Sequence, residues 1–313
     1  MTIKDTREYT RRSFLAKTAA LGVASALPFS LTACGGSEGV SGAARAAASV
    51  AQPDGLTLTA FIDGEAVSRA EVLTWEARRL QVVAKRMSNN LPAAIMADLE
   101  ALILRPALST ANIAQEREQL ADAKLLAGDE QMQALVAGDL LLSDQASELA
   151  AMPGQWAVSQ IEIESSLGTA EGFADWFSRA LARDDERAML VACPDHYLIR
   201  SQGTQGQNVI EETGGALVVS HFVVDYTKPA DLPYAIDPEF PVRLTGPAMN
   251  EAGTQIGGVC HQFRNLEQGF RLRPAVFFPA MLPFWTISEH RWHLACEFEN
   301  WVTAYVREMG LEG

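Results

Sequence analysis

The chain has 313 residues and is acidic, with 25 Lys and Arg against 39 Asp and Glu and a net charge of −14 at pH 7. Such a surface repels nucleic acid and anionic headgroups, and no basic stripe offsets it. The 4 cysteines include no Cys-x-x-Cys pair, which argues against a disulfide framework or a cysteine-rich metal knuckle.

Near the front, Thr10-Arg11-Arg12-Ser13-Phe14-Leu15-Ala16-Lys17 leads into an apolar, small-residue run that ends at Leu31-Thr32-Ala33-Cys34. Together these features resemble a twin-arginine export signal closed by a lipobox, after which Cys34 becomes the lipidated N-terminus. The competing reading is an anchor that stays uncut, although the run is only marginally long for a bilayer core of ~30 Å. With residues 1–33 removed, 20 basic residues face 37 acidic ones and the net charge becomes −17. The expected location is the periplasm or cell envelope, with the membrane reached only through the lipid on Cys34. Cys193, Cys260 and Cys296 remain, and they read as small core residues.

Residues 34–55 are rich in Gly, Ser and Ala and read as a flexible tether. Residues 56–150 form a mainly helical N-terminal region, rich in Ala, Leu, Glu and Gln. Helical periodicity covers 70–87, 92–104 and 112–126, with Ser109 and Thr110 as caps between the last two. Leu58–Ile62 before Asp63-Gly64 reads as a short strand and turn. No catalytic motif falls in this region.

The composition changes at Pro153-Gly154, where aromatic, β-branched and turn residues become common. Residues 156–163 alternate like a half-buried strand, and 170–182 read as an amphipathic helix with Phe173, Trp176 and Phe177 inward. Residues 189–192 and 197–200 read as strand around a Cys-Pro-Asp-His turn. Residues 209–226 read as paired strands broken at Gly214-Gly215, and 257–263 with 269–278 as a second pair. His221, within the apolar strand 218–224, reads as a satisfied core histidine. Strands followed by a long terminal helix give an α+β fold, a curved antiparallel sheet on that helix, over residues 151–313.

The terminal helix carries the sharpest chemical signal. In Ser288-Glu289-His290-Arg291-Trp292-His293-Leu294-Ala295-Cys296-Glu297, His293 and Glu297 lie one turn apart on one face. An imidazole and a carboxylate so placed can supply two ligands to zinc, and otherwise they pair with each other. His290 shares that face closely enough to compete with His293.

Residues from about Trp156 to Tyr305 resemble the 2,4-diacetylphloroglucinol hydrolase family, which includes phloretin hydrolase-like enzymes. The resemblance rests on Ala174-Asp175-Trp176-Phe177, on Cys193-Pro194-Asp195-His196-Tyr197 and on Val209-Ile210-Glu211-Glu212-Thr213-Gly214-Gly215. It continues in Cys260-His261-Gln262-Phe263-Arg264 with Gly269-Phe270-Arg271-Leu272-Arg273, and in His293-Leu294-Ala295-Cys296-Glu297. It implies a Bet v 1-like helix-grip domain holding one zinc ion through His196, Glu211, His293 and Glu297. Taken alone, His196 also fits a turn histidine, and Glu212 is the runner-up to Glu211, since strand alternation turns only one of them inward.

The expected activity is zinc-dependent hydrolysis of the carbon–carbon bond between an acyl carbonyl and a phenolic, phloroglucinol-like ring. The expected partner is a small aromatic acyl substrate. His261 is the expected catalytic residue, orienting a ring hydroxyl or moving a proton, with Trp176, Phe177 and Trp292 lining an aromatic slot. The alternative is a lipid-anchored helix-grip protein that binds a small hydrophobic ligand without catalysis. A third reading has the N-terminal helices dock a partner, with the zinc site purely structural.

Overall fold

The computed structural model describes residues 52–106, 108–203, 206–214, 218–228, 232–233 and 236–312. The expected signal at 1–33, the lipidation site Cys34 and most of the tether lie outside the described residues. None of the described helices is long and apolar enough to cross a membrane.

The fold begins with a hairpin of β1 (Leu58–Ile62) and β2 (Glu65–Val67). Its two-residue turn is Asp63-Gly64, both at positive φ (55° and 79°), the conformation that the twist of a tight hairpin asks for. α1 (Arg69–Ser88) starts at a capping box in which Ser68 and Glu71 satisfy each other's backbone amides. Two short helices follow, α2 (Ala93–Met96) and α3 (Glu100–Leu104). α4 (Ile113–Ala151) runs far beyond the periodic stretch expected from sequence, and Gly128 at φ 76° interrupts it. Asn112, rather than Ser109 or Thr110, occupies its N-cap position.

β3 (Trp156–Gln160), β4 (Glu162–Ser165) and α5 (Ala170–Ala182) come next, and α5 buries Phe173, Trp176 and Phe177 as expected. α6 (Glu186–Ala192) corrects the strand expected over 189–192. The Asp185 side chain accepts from the Ala188 amide at 3.2 Å, an N-cap that starts a helix despite the apolar run. The remaining strands are β5 (His196–Ser201), β6 (Gly206–Glu211), β7 (Ser220–Asp225), β8 (Val242–Met249), β9 (Gln255–Asn265), β10 (Phe270–Arg273) and β11 (Ala275–Pro279). β8 was not anticipated. α7 (Phe284–Glu308) closes the fold.

All the strand pairings are antiparallel, in the order β2-β1-β4-β10-β9-β8-β7-β6-β5, with β11 joining β9 to β3. The described part is thus α+β. Across the division expected near residue 150, β1 pairs with β4, so strands from both sides belong to one sheet.

Period-two alternation along β5 and β6 divides the interior. Ile199 and Val209 face a core shared with Phe263, Leu272, Leu294, Phe298 and Val302. Leu198 and Ile210 face a second core built with Leu80, Val83 and Met87 of α1 and Leu120 and Val136 of α4. α7 is therefore packed against the sheet on one side and helices on the other. Ten consecutive residues, 293–302, are buried on it, Glu297, Glu299 and Asn300 among them.

Candidate metal centre

Two pieces of regular structure bring the site together. On α7, the spacing of four residues stacks His293 over Glu297. On the sheet, His196 opens β5 and Glu211 closes β6, and the two are direct cross-strand partners, which sets neighbouring side chains on one face. The register shifts between His196 and Leu198, so a bulge aims His196 independently of the strand behind it. Gly214, just past Glu211, lies so close to α7 that a Cβ there would sit 2.9 Å from the backbone of Glu289 and His290. Its missing side chain lets the loop after Glu211 close against the helix.

All four side chains converge. Glu297 Oε2 lies 3.2 Å from His196 Nε2 and 3.6 Å from His293 Nε2. Glu211 Oε2 lies 3.6 Å from His196 Nε2 and 3.9 Å from His293 Nε2. Ligands at zinc bond lengths of ~2.0–2.1 Å in a tetrahedron stand about 3.3 Å apart. The cluster is close to that spacing before any ion is placed in it.

The donor chemistry fits as well. His196 Nδ1 donates to the Met189 carbonyl at 2.9 Å, which leaves Nε2 as the lone-pair nitrogen of the neutral ring. That Nε2 is buried and receives no hydrogen bond from the protein, although Glu297 is beside it. An orphaned, inward-facing imidazole nitrogen next to two carboxylates is costly unless a cation sits among them.

Electrostatics point the same way. Burial pushes the Glu211 carboxyl up, only partly offset by His293 and His196. Burial also works against the charged form of Glu297, yet the two imidazoles beside it hold it well below the carboxylate range. Burial disfavours the imidazolium of His293, but Glu211, Asp195 and Glu297 together raise it well above the usual value. The cluster, in short, pulls in positive charge, here as a proton.

A supporting shell comes from the N-terminal region. Asp195 Oδ2 is 3.7 Å from His293 Nδ1, on the side of the ring away from Glu297. Arg79 of α1 holds Asp195 through Nε at 2.8 and 3.0 Å and pairs with Glu212 at 2.6 Å. Glu212 is thereby turned away from the cluster, and Glu211 is the one of the pair that joins it. The fully buried Lys124 of α4 donates to the carbonyls of Pro194 and His196 at 2.8 and 2.5 Å. Burial lowers its ammonium pKa to about 8. Asp195, Arg79 and Lys124 were missed in the sequence. Asp195 lies inside the Cys-Pro-Asp-His segment, but its partners are distant along the chain.

His196, Glu211 and Glu297 of the cluster line a cavity with about 910 Å³ of empty space, the part open to solvent included. Val209, Phe222, Val224, Val259 and Phe277 make its walls largely apolar, and among the described residues no Lys or Arg lines it. His261 lines it too, with Nδ1 accepting from the Ala275 amide at 3.3 Å and burial lowering its pKa to about 4. At neutral pH it is therefore an uncharged ring with its proton on Nε2. His290 lines the cavity beside His293, stacked on it at 5.1 Å, with Nδ1 bonded to Ser159 Oγ at 2.9 Å. Its ligand nitrogen lies within 4.8 Å of ligand atoms of Glu211 and His293, so His290 stands beside His293 as a candidate ligand.

The expected aromatic slot is only partly present. Phe177 lines the cavity, as does Trp301, which stacks on His196 at 6.0 Å. Trp176 is instead in the core with its indole N–H donating to Glu308 at 2.7 Å, and Trp292 packs half-buried against the core. His221 is satisfied, as expected, by Asn208 at 2.6 Å and Glu251 at 2.8 Å, but it is half-buried rather than in a core. No protein-family model matches the chain, and no curated protein matches its sequence.

Proposed function

We propose that the protein is a zinc-dependent hydrolase that cleaves the carbon–carbon bond between an acyl carbonyl and an electron-rich phenolic ring. The fold is read as a helix-grip domain, with the antiparallel sheet around α7. The observation that carries the proposal is the orphaned His196 Nε2 among Glu211, His293 and Glu297 at the end of an apolar cavity. The substrate class comes from the resemblance of five ordered motifs to the 2,4-diacetylphloroglucinol hydrolase family.

His196, Glu211, His293 and Glu297 would hold the ion. Zinc in such a setting supplies Lewis-acid activation of water and of a carbonyl oxygen. The residues of the chain do the rest. Cys193 Sγ, 3.7 Å from Nδ1, holds the ring of His293 with Asp195 beside it, and the Met189 carbonyl fixes that of His196. The apolar walls strip water from an aromatic ring and strengthen the polar contacts left inside. His261, its proton held on Nε2 by the backbone bond at Nδ1, is a fixed donor suited to orienting a ring hydroxyl. That position makes it a poor proton carrier. In the net reaction, the oxygen of water ends on the carbonyl carbon and a proton replaces the acyl group on the ring carbon, giving a carboxylic acid and a phenol. The ring hydroxyls make this possible by spreading the developing charge onto oxygen.

The test combines elemental analysis of wild type, His196→Ala and His293→Ala with product analysis on a panel of acylphloroglucinols. One zinc per chain, its loss from both variants, and free carboxylic acid from wild type are the expected results. A metal-free wild type sinks the centre. A zinc-loaded chain that binds a panel member tightly without cleaving it favours a hydrophobic-ligand carrier instead, a role for which the apolar cavity is also suited.

A further inference from the structure

The chain from Pro274 to Ser288 carries no charged residue, although the protein as a whole is acidic. Its middle is the loop between β11 and α7. There Met281 is 67% exposed, and in the first turn of α7 that follows Phe284 is 59% and Trp285 38% exposed. The two aromatic rings stand edge to face at 5.5 Å, forming one apolar knob. Soluble surfaces scatter such residues singly, and a cluster of them marks a contact surface. Pro279 at the end of β11 and Leu282 of the loop line the same cavity as His196, Glu211 and Glu297. The apolar knob and the apolar cavity are therefore two sides of one short segment.

We propose that this loop is a lipid-facing tip, set in the headgroup–acyl boundary of a neutral bilayer, through which an apolar ligand passes between membrane and cavity. The inference rests on the reading of Cys34 as a lipidated residue. Three observations select a bilayer as the occupant. The sequence places a lipobox at Cys34, and the 18 residue steps from Cys34 to Gln52 span at most about 60 Å, so an anchored chain stays within reach of lipid. Tryptophan and phenylalanine at an exposed tip are the residues that favour the interfacial zone. The net charge of −17 for the mature chain directs the tip to zwitterionic rather than anionic lipid.

The test uses the lipidated mature chain reconstituted in phosphatidylcholine vesicles, with and without brominated acyl chains that quench nearby tryptophan. Flotation with the vesicles reports the anchor, and quenching reports the tip. Wild type is expected to float and to be quenched. Trp285→Phe is expected to float equally and to lose most of the quenching. Met281→Ser with Phe284→Ser is expected to lose it too, with Trp285 still present, and melting temperature is read to show that each variant is folded. Failure of wild type to float overturns the anchor and the proposal with it. Flotation with no quenching, or with equal quenching in Trp285→Phe, overturns the tip alone. A concentration-dependent dimer abolished by Phe284→Ser also overturns it, by assigning the knob to a second copy of the chain.

Discussion

The two sides of α7 bury ionisable groups in opposite ways. On the helix-packed side, Glu299 pairs with Arg69, whose Nη2 also donates to Asn300 at 2.9 Å. Glu76 nearby takes two bonds from Arg117, at 2.5 and 2.8 Å. Each carboxylate there has its own guanidinium. On the cavity side, Glu211 and Glu297 face two imidazoles and no Lys or Arg. A buried carboxylate needs a compensating cation. One side finds it in guanidinium groups, and on the other only imidazoles face the two carboxylates.

That contrast can be broken by experiment. The largest effect should follow from Arg117→Leu, which strands Glu76 in the interior at a cost of about 3–5 kcal/mol. Urea unfolding should record that loss while the zinc content stays at the wild-type level. A variant that unfolds normally, or one that sheds zinc, would mean the two sides are not independent.

On the cavity side, removing metal should act through linkage instead. If zinc is present at about a thousandfold over its dissociation constant, chelation takes away about 4 kcal/mol. For a chain of this size that lowers the melting temperature by about 10 °C. Differential scanning calorimetry before and after chelation reads it, and an unchanged transition would mean that the cavity side draws no stability from a metal.

A third cluster lies between these extremes and gives the smallest effect. Arg200 alone serves Asp129, Asp184 and Glu186. Burial first, then the two neighbouring aspartates, raise the Glu186 pKa to about 7, against the opposing pull of Arg200. Glu186 thus binds its proton more tightly in the folded chain than in the unfolded one, and stability falls as pH rises from about 4.5 to about 7. Glu186→Gln should remove that slope and gain roughly 1–2 kcal/mol above neutral pH, the full shift being discounted because Arg200, Asp129 and Asp184 around the buried carboxyl are partly exposed to solvent. Parallel melting curves for wild type and variant at acid and neutral pH would contradict this.

Sequence reading went furthest where chemistry follows local geometry. The His293–Glu297 pair needs only the helical repeat, and the Asp63-Gly64 turn needs only its φ preference. The choice between Glu211 and Glu212 needed the fold, because alternation separates them without saying which side is inward. What decides it is Arg79, more than a hundred residues earlier, drawing Glu212 the other way. Arg79 and Lys124 were illegible for the same reason: each sits in an ordinary amphipathic helix, and nothing nearby in sequence announces its partner. The helix at Glu186–Ala192 was misread because an apolar run of that length suits either strand or helix, and only the Asp185 cap discriminates.

The pairing of β1 with β4 reaches beyond the sheet itself. Residues 52–150 supply the strand that covers the β4 edge, the guanidinium that grips Asp195 and the ammonium that grips the carbonyls of Pro194 and His196. Residues 151–313 contain every side chain of the four-residue cluster and none of these supports. The cluster is accordingly not a portable module. Grafting the C-terminal half onto another protein would transfer the ligands without their geometry, and would leave β4 with a bare row of amides and carbonyls for any passing strand to take up.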